Sequence, residues 1–107
     1  MDVYAIRVAR RRAESAFLER LDTALRGAGV RITDDARETA FIQFGWGISD
    51  IHAVLHVLDE GDYSHAEPST AVEGGTIWVF LHMTDEGRLW IRICERGHLV
   101  VVSFHRG

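Results

Sequence analysis

The chain has 107 residues, 47% apolar and 26% charged, the balance of one globular domain spanning residues 1–107 with a single core rather than of a disordered segment. All its basic residues are arginine, which excludes a phosphate-loop lysine and any Schiff-base chemistry. The net charge of -4 hides an asymmetry: residues 1–31 hold seven Arg against four acids, residues 32–86 one against eleven, and residues 87–107 four against one. Basic ends on an acidic middle can set a positive face on an acidic body.

In chain order, Tyr4, Ile6 and Val8 alternate, which predicts a short first strand over residues 3–8. Arg10, Arg11 and Arg12 then open a helix over residues 12–26, where Ala13, Phe17, Leu21, Ala24 and Leu25 keep helical spacing and Gly27 and Gly29 stop it. Thr33 or Asp34 caps a second helix with Ala36, Ala40, Phe41 and Phe44 inward, ending at Gly45. Ser49 is expected to cap a third, with Ile51, Val54, Leu55 and Leu58 as its buried stripe. After residues 59–62 the period becomes two. An edge strand ends at Pro68, and strands follow over residues 76–83, 88–95 and 98–105, the last two joined through Arg96-Gly97. Helices first and a meander last predict an α+β domain, with two to three N-terminal helices on one face of a twisted antiparallel sheet of three to four strands.

Taking Arg96-Gly97 as a two-residue loop sets Ile93 opposite Val100, Ile91 opposite Val102 and Leu89 opposite Phe104, and joins Ile77, Val79, Leu81 and Met83 to that face. This apolar face is expected against the helices, because a one-residue slip would bury Arg88 and Arg92. The other face then carries Trp78, Phe80, His82, Arg88, Trp90, Arg92, Cys94, Leu99, Val101, Ser103 and His105. Arginine for phosphate oxygens, tryptophan for stacking and histidine for proton transfer make it a candidate RNA platform. A half-exposed sheet face built only for packing has the same composition.

Other patterns carry less. His52 and His56 lie four apart on the third helix, yet no third ligand follows and no metal is expected. Cys94 is alone, without an activating motif, and implies a reducing compartment. Neither Gly27-Ala28-Gly29 nor Gly45-Trp46-Gly47 follows a strand, so neither is a dinucleotide loop. No apolar run approaches the roughly 20 residues of a membrane span, and no signal peptide precedes the domain, so the cytoplasm is the expected location.

The stretches "FGWGISDIHAVLHVL", "DYSHAEPS", "TIW", "GRLWIRI" and "LVVVSFHRG" carry a resemblance, over roughly residues 34–106, to the MqsR-type toxins of bacterial toxin–antitoxin systems. Those toxins are relatives of RelE in the barnase–EndoU–colicin–RelE group of ribonucleases. The resemblance implies a RelE-like fold and a metal-independent, cofactor-free endoribonuclease that cleaves mRNA, free or on the ribosome, with an antitoxin protein as partner and no affinity for DNA or membranes by itself. Carried over by position, it points to His65 for the family's lysine after the acidic-aromatic pair and to Val79 for its glutamine after TIW. Trp90 stands for its strand tyrosine, Arg92 for the basic residue of that strand, and His105 for its lysine after VSF. His65 and His105 are the expected acid and base, unassigned between them, and Arg92, with Arg88 second, the stabiliser of phosphorane charge. Trp90, His82 and Ser103 complete the expected binding surface, His82 from the strand register alone. The alternative is a non-catalytic RelE-fold module that works through protein contact.

Overall fold

The computed structural model describes residues 3–107, with only the backbone described for residues 3–12. Helix α1 (Val3–Arg26) runs through the segment expected as a strand. Its alanines and arginines are strong helix formers, and their local preference outweighs a three-residue alternation. Arg10, Arg11 and Arg12 belong to this helix, but their side chains lie outside the described residues.

Helix α2 (Asp34–Phe44) begins where the sequence places it, because the Thr33 hydroxyl accepts the Ala36 N–H at 3.2 Å and Asp34 and Asp35 complement the helix dipole. Gly45 closes it at φ 71°, a left-handed cap that glycine takes without strain. Ala36 and Ala40 are buried as expected, whereas Phe41, also expected inward, is 68% exposed. Helix α3 (Ile48–Val57) starts one residue before the expected Ser49 cap, since the Asp50 carboxylate accepts the Gly47 N–H at 2.9 Å. Ile51, Val54, Leu55 and Leu58 are buried as the spacing predicts.

Among the described residues the sheet has five strands rather than three or four, and it is mixed. β1 (Arg31–Ile32), β2 (Tyr63–Pro68), β3 (Thr76–Thr84), β4 (Gly87–Arg96) and β5 (His98–Arg106) lie in the order β1-β5-β4-β3-β2, with β1 parallel to β5. β1 has two residues, too few to show any alternation in sequence.

Two details of register overturn the expected faces. Thr84 pairs with Gly87 across Asp85 and Glu86, so Leu89 faces His82 rather than Met83. The Thr84 hydroxyl fixes this turn by donating to the Gly87 carbonyl at 2.8 Å and accepting the Glu86 N–H at 3.1 Å. Trp78, Phe80 and His82 therefore face the helices, and Ile77, Val79, Leu81 and Met83 the other side. At the second turn Arg96 faces His98 across Gly97, at φ 75°, so Leu99 and Val101 turn inward in place of Val100 and Val102. A bulge between the Arg92 and Ile93 pairings then restores the expected parity, with Ile91 opposite Phe104, Arg92 opposite Ser103 and Trp90 opposite His105.

The covered face explains the facing of β3. Phe17 of α1 stacks on Trp78 at 4.6 Å between centroids and lies 5.8 Å from Phe80, so the large aromatics fill the space beneath the helix. The Trp78 indole N–H donates to Glu95 at 3.1 Å, and Arg20 of α1 grips the same carboxylate at 2.6 and 2.9 Å. A smaller cluster forms on the open face, where Ile77, Val79 and Cys94 are buried with Trp90 and Val102 against them. The loop between β2 and β3 rests on this cluster. A Cβ on its Gly75 would stand 3.1 Å from the Val72 carbonyl and 3.3 Å from Cys94 Sγ, so glycine permits the close approach.

Candidate functional site

Along β4 the residues Arg88, Trp90, Arg92, Cys94 and Arg96 alternate onto the sheet face that no helix covers. His65 and Glu67 of β2 and Ser103 and His105 of β5 join them there. The basic C-terminal segment thus lies largely on this face, although Arg106 points the other way, donating to the Gln43 carbonyl at 3.0 Å and lying 5.1 Å from the Phe44 ring.

Arg92 is the centre of the arrangement. One level of the sheet reads His65, Val79, Arg92, Ser103 from β2 to β5, and the next reads Leu81, Trp90, His105. With strands about 5 Å apart, His65 stands roughly 10 Å to one side of Arg92, and His105 on the adjacent strand to the other. The Arg92 backbone thus lies between the strands that carry the two imidazoles, and its guanidinium reaches toward β2, where Glu67 binds it. Val79, between His65 and Arg92 on that level, is buried on the open face rather than in the helical core, and has no group to hydrogen-bond.

Glu67 was not among the expected residues. Its carboxylate accepts a hydrogen bond from the Arg92 guanidinium, and its Oε2 lies 3.4 Å from His65 Nε2. The signal was present: in a strand, positions 65 and 67 share a face, and the acid of "HAE" follows the histidine by two. His65 Nδ1 lies 3.0 Å from Ser64 Oγ. His105 Nδ1 lies 3.0 Å from the Arg106 carbonyl oxygen. A carbonyl only accepts, so that contact places a proton on Nδ1, and in the neutral ring the lone pair is then on Nε2.

The remaining expected residues divide. Trp90 is half-buried between Leu81 and His105, and Arg88 is exposed opposite Met83. Ser103 shares the face as expected and stands beside Arg92. His82 is removed from the site by the β3 register: it faces the helical side, with Nδ1 3.0 Å from Asp62 Oδ2 and both side chains largely buried. Among the described residues no three His, Cys, Asp or Glu side chains are placed to hold a metal ion, and His52 and His56 have no third partner. Nor is any described helix long and apolar enough to cross a membrane.

Fold and site together define an α+β domain with one sheet face packed by helices and the other presenting arginine, histidine and tryptophan. No protein-family model matches this sequence, and no curated protein matches it either.

Proposed function

We propose that this chain is a metal-independent endoribonuclease of RelE-like, MqsR-type character, acting on mRNA as the toxin partner of an antitoxin protein. The observation that carries the reading is the placement of Arg92 on β4, between the strands that carry His65 and His105, on the sheet face that no helix packs against. Cleavage through the ribose 2′-hydroxyl needs a base on one side of the phosphorus and an acid on the other, because the nucleophile and the leaving oxygen are in line. His105, with Nε2 free, takes the 2′-hydroxyl proton as that oxygen attacks phosphorus. The bond from phosphorus to the 5′-oxygen breaks, and His65 gives that oxygen its proton. The products are a 2′,3′-cyclic phosphate and a 5′-hydroxyl. Arg92 meets the charge that grows on the phosphorane oxygens, the kind of contact worth most in the transition state. Glu67 orients His65 and holds Arg92 until the phosphate replaces it, which makes Glu67 a positioning residue. Trp90 offers a ring for a base to stack on, with Arg88 beyond it.

The test compares an ordinary RNA with one carrying sulfur at the scissile 5′ position, a leaving group that needs no acid. His105→Ala should lose about 10²–10⁴-fold on both substrates, whereas His65→Ala should lose that much only on the oxygen substrate. The opposite pattern, with His105→Ala rescued by sulfur and His65→Ala not, would reverse the assignment of roles. Wild-type protein inert on RNA, with ribosomes absent or present, would remove the nuclease reading. One observation favours the second reading, a non-catalytic protein-binding module: Phe41, Ile42 and Ile48 are large apolar side chains left 68%, 71% and 46% exposed on α2 and α3.

A further inference from the structure

Beyond Arg92, toward the β4–β5 hairpin, the open face holds a concavity of about 260 Å³ that plays no part in the chemistry above. Arg31 from β1, Arg96 from β4 and His98 from β5 line it, with Cys94 and Val100 as its floor and Val72 of the β2–β3 loop as a wall. Three elements far apart in sequence deliver the three basic groups to one place. β1 exists as two residues, and its pairing of Arg31 with Val100 sets the first guanidinium on the open face. The turn at Gly97 does the same for Arg96 and His98, which face each other across it.

We infer that this concavity is a phosphate subsite that seats a backbone phosphate of the RNA a few nucleotides from the scissile one; the inference rests on the nuclease reading for its ligand. Several features point to an anion. Arg96 donates one N–H to the Glu73 carbonyl, a contact that anchors the loop and orients the guanidinium while leaving its other donors available. Neither Arg31 nor His98 forms an ion pair among the described residues, so no carboxylate neutralises the Arg31 guanidinium there. Buried Cys94 and half-buried Val100 below them lower the local dielectric and strengthen attraction for an anion. The nearest carboxylate on β4, Glu95, faces the opposite side of the sheet and is held by Arg20. Position along the strand supports a nucleic acid rather than a free ion. Arg96 follows Arg92 by four residues on the same face, roughly 13 Å, so one extended strand lying along β4 meets both arginines in turn. Trp90 and Arg88 continue the line on the other side of Arg92.

The measurement uses single-stranded 2′-O-methyl RNA, which lacks the attacking hydroxyl and reports binding alone. Affinities are compared for a heptanucleotide and a dinucleotide by fluorescence anisotropy across a salt series. Arg31→Gln and His98→Gln keep the backbone pairing and avoid the loop anchor at Arg96. Arg31→Gln should weaken heptanucleotide binding about tenfold, as expected for one charge-assisted contact, and flatten its logarithmic salt slope by about 0.7. Dinucleotide binding should change less than twofold, because so short a ligand seated at Arg92 does not reach the subsite. Equal loss on both lengths, or no loss on either, overturns the inference even if cleavage at Arg92 is intact. Saturation by inorganic phosphate with no dependence on RNA length makes this a small-anion pocket and likewise overturns it. Length-dependent loss in a protein that cleaves nothing keeps the subsite and removes only the nuclease reading.

Discussion

On the covered face, Trp78, Phe80, Leu89, Ile91, Ile93 and Phe104 are no more than 8% exposed and meet Phe17, Leu21, Ile51 and Leu55 from the helices. On the open face the same strands present Arg88, Trp90, Arg92, Ser103 and His105 around a small buried cluster of Ile77, Val79 and Cys94. Alternation along a strand thus separates two tasks by one residue. Ile91 is part of the core while its neighbours Trp90 and Arg92 face outward. Stability and recognition should therefore respond to different substitutions at adjacent positions.

The largest effect belongs to the covered face. Phe104→Ala should cost about 3–5 kcal/mol in urea unfolding, the range for removing a fully buried ring. Arg92→Ala on the next strand should cost no more than about 1 kcal/mol, because its pair with Glu67 is about two-fifths exposed on each side. If the two variants are equally destabilised, the division between faces fails. Next in size is stacking on the open face. Trp90→Ala should weaken binding of 2′-O-methyl RNA by about 1–3 kcal/mol. Leu81→Ala, its neighbour on β3, should leave that affinity in place; equal losses would mean that the cluster, rather than the ring, supports binding.

The bulge in β5 offers a smaller test of the same division. Val101 is fully buried on the covered side, and Val102 is half-buried against the open-face cluster. Val101→Ala should cost about 1.5 kcal/mol or more and Val102→Ala about half of that, in proportion to the apolar area each removes from water. The reverse order in urea midpoints would restore the register read from sequence.

That register shows where sequence reading ended. The caps of α2, the stripe of α3 and the bounds of β2 through β5 were legible, because each depends on a few adjacent residues: Thr33 and Gly45, Ile51 through Leu58, Pro68 and Gly97. The facing of β3 was not. Ile77-Trp78-Val79-Phe80-Leu81 is apolar at every position, so alternation gives no sign of which set turns inward. The choice comes from Phe17, sixty residues away, which offers a ring for Trp78 to stack on. His82 was misplaced with it. Ser103 and His105 were placed correctly although the turn differed, because the shift at Gly97 and the bulge at Val102 compensate. Glu67 and the pocket around Arg31 were harder to read for a related reason: their partners lie on other strands.

The smallest predicted effect concerns the edge of the covered face, where pH reads out one contact. Hydrogen bonds from Arg20 hold the Glu95 carboxyl below its ordinary range, assisted by the Arg20 charge and the Trp78 N–H and opposed by partial burial. A depressed carboxyl means that the unfolded chain binds the proton more readily. The stabilising contribution is therefore complete above the unfolded value near 4.3 and disappears as pH falls through the lower folded value. The same pair raises the Arg20 guanidinium, whose contribution persists at every working pH and fades only at the alkaline extreme. Arg20 is 48% exposed and Glu95 21%, so solvent screening limits the pair to about 0.2–1 kcal/mol. Glu95→Gln should lower the stability measured in urea by that amount at pH 7, and the difference from wild type should shrink as pH is brought from 5 toward 3. RNA affinity should not follow, since Glu95 faces away from Arg92. A difference that stays constant from pH 7 to pH 3 would show that Glu95→Gln loses packing or geometry rather than charge. A parallel loss of RNA affinity would mean that the two faces are coupled through β4.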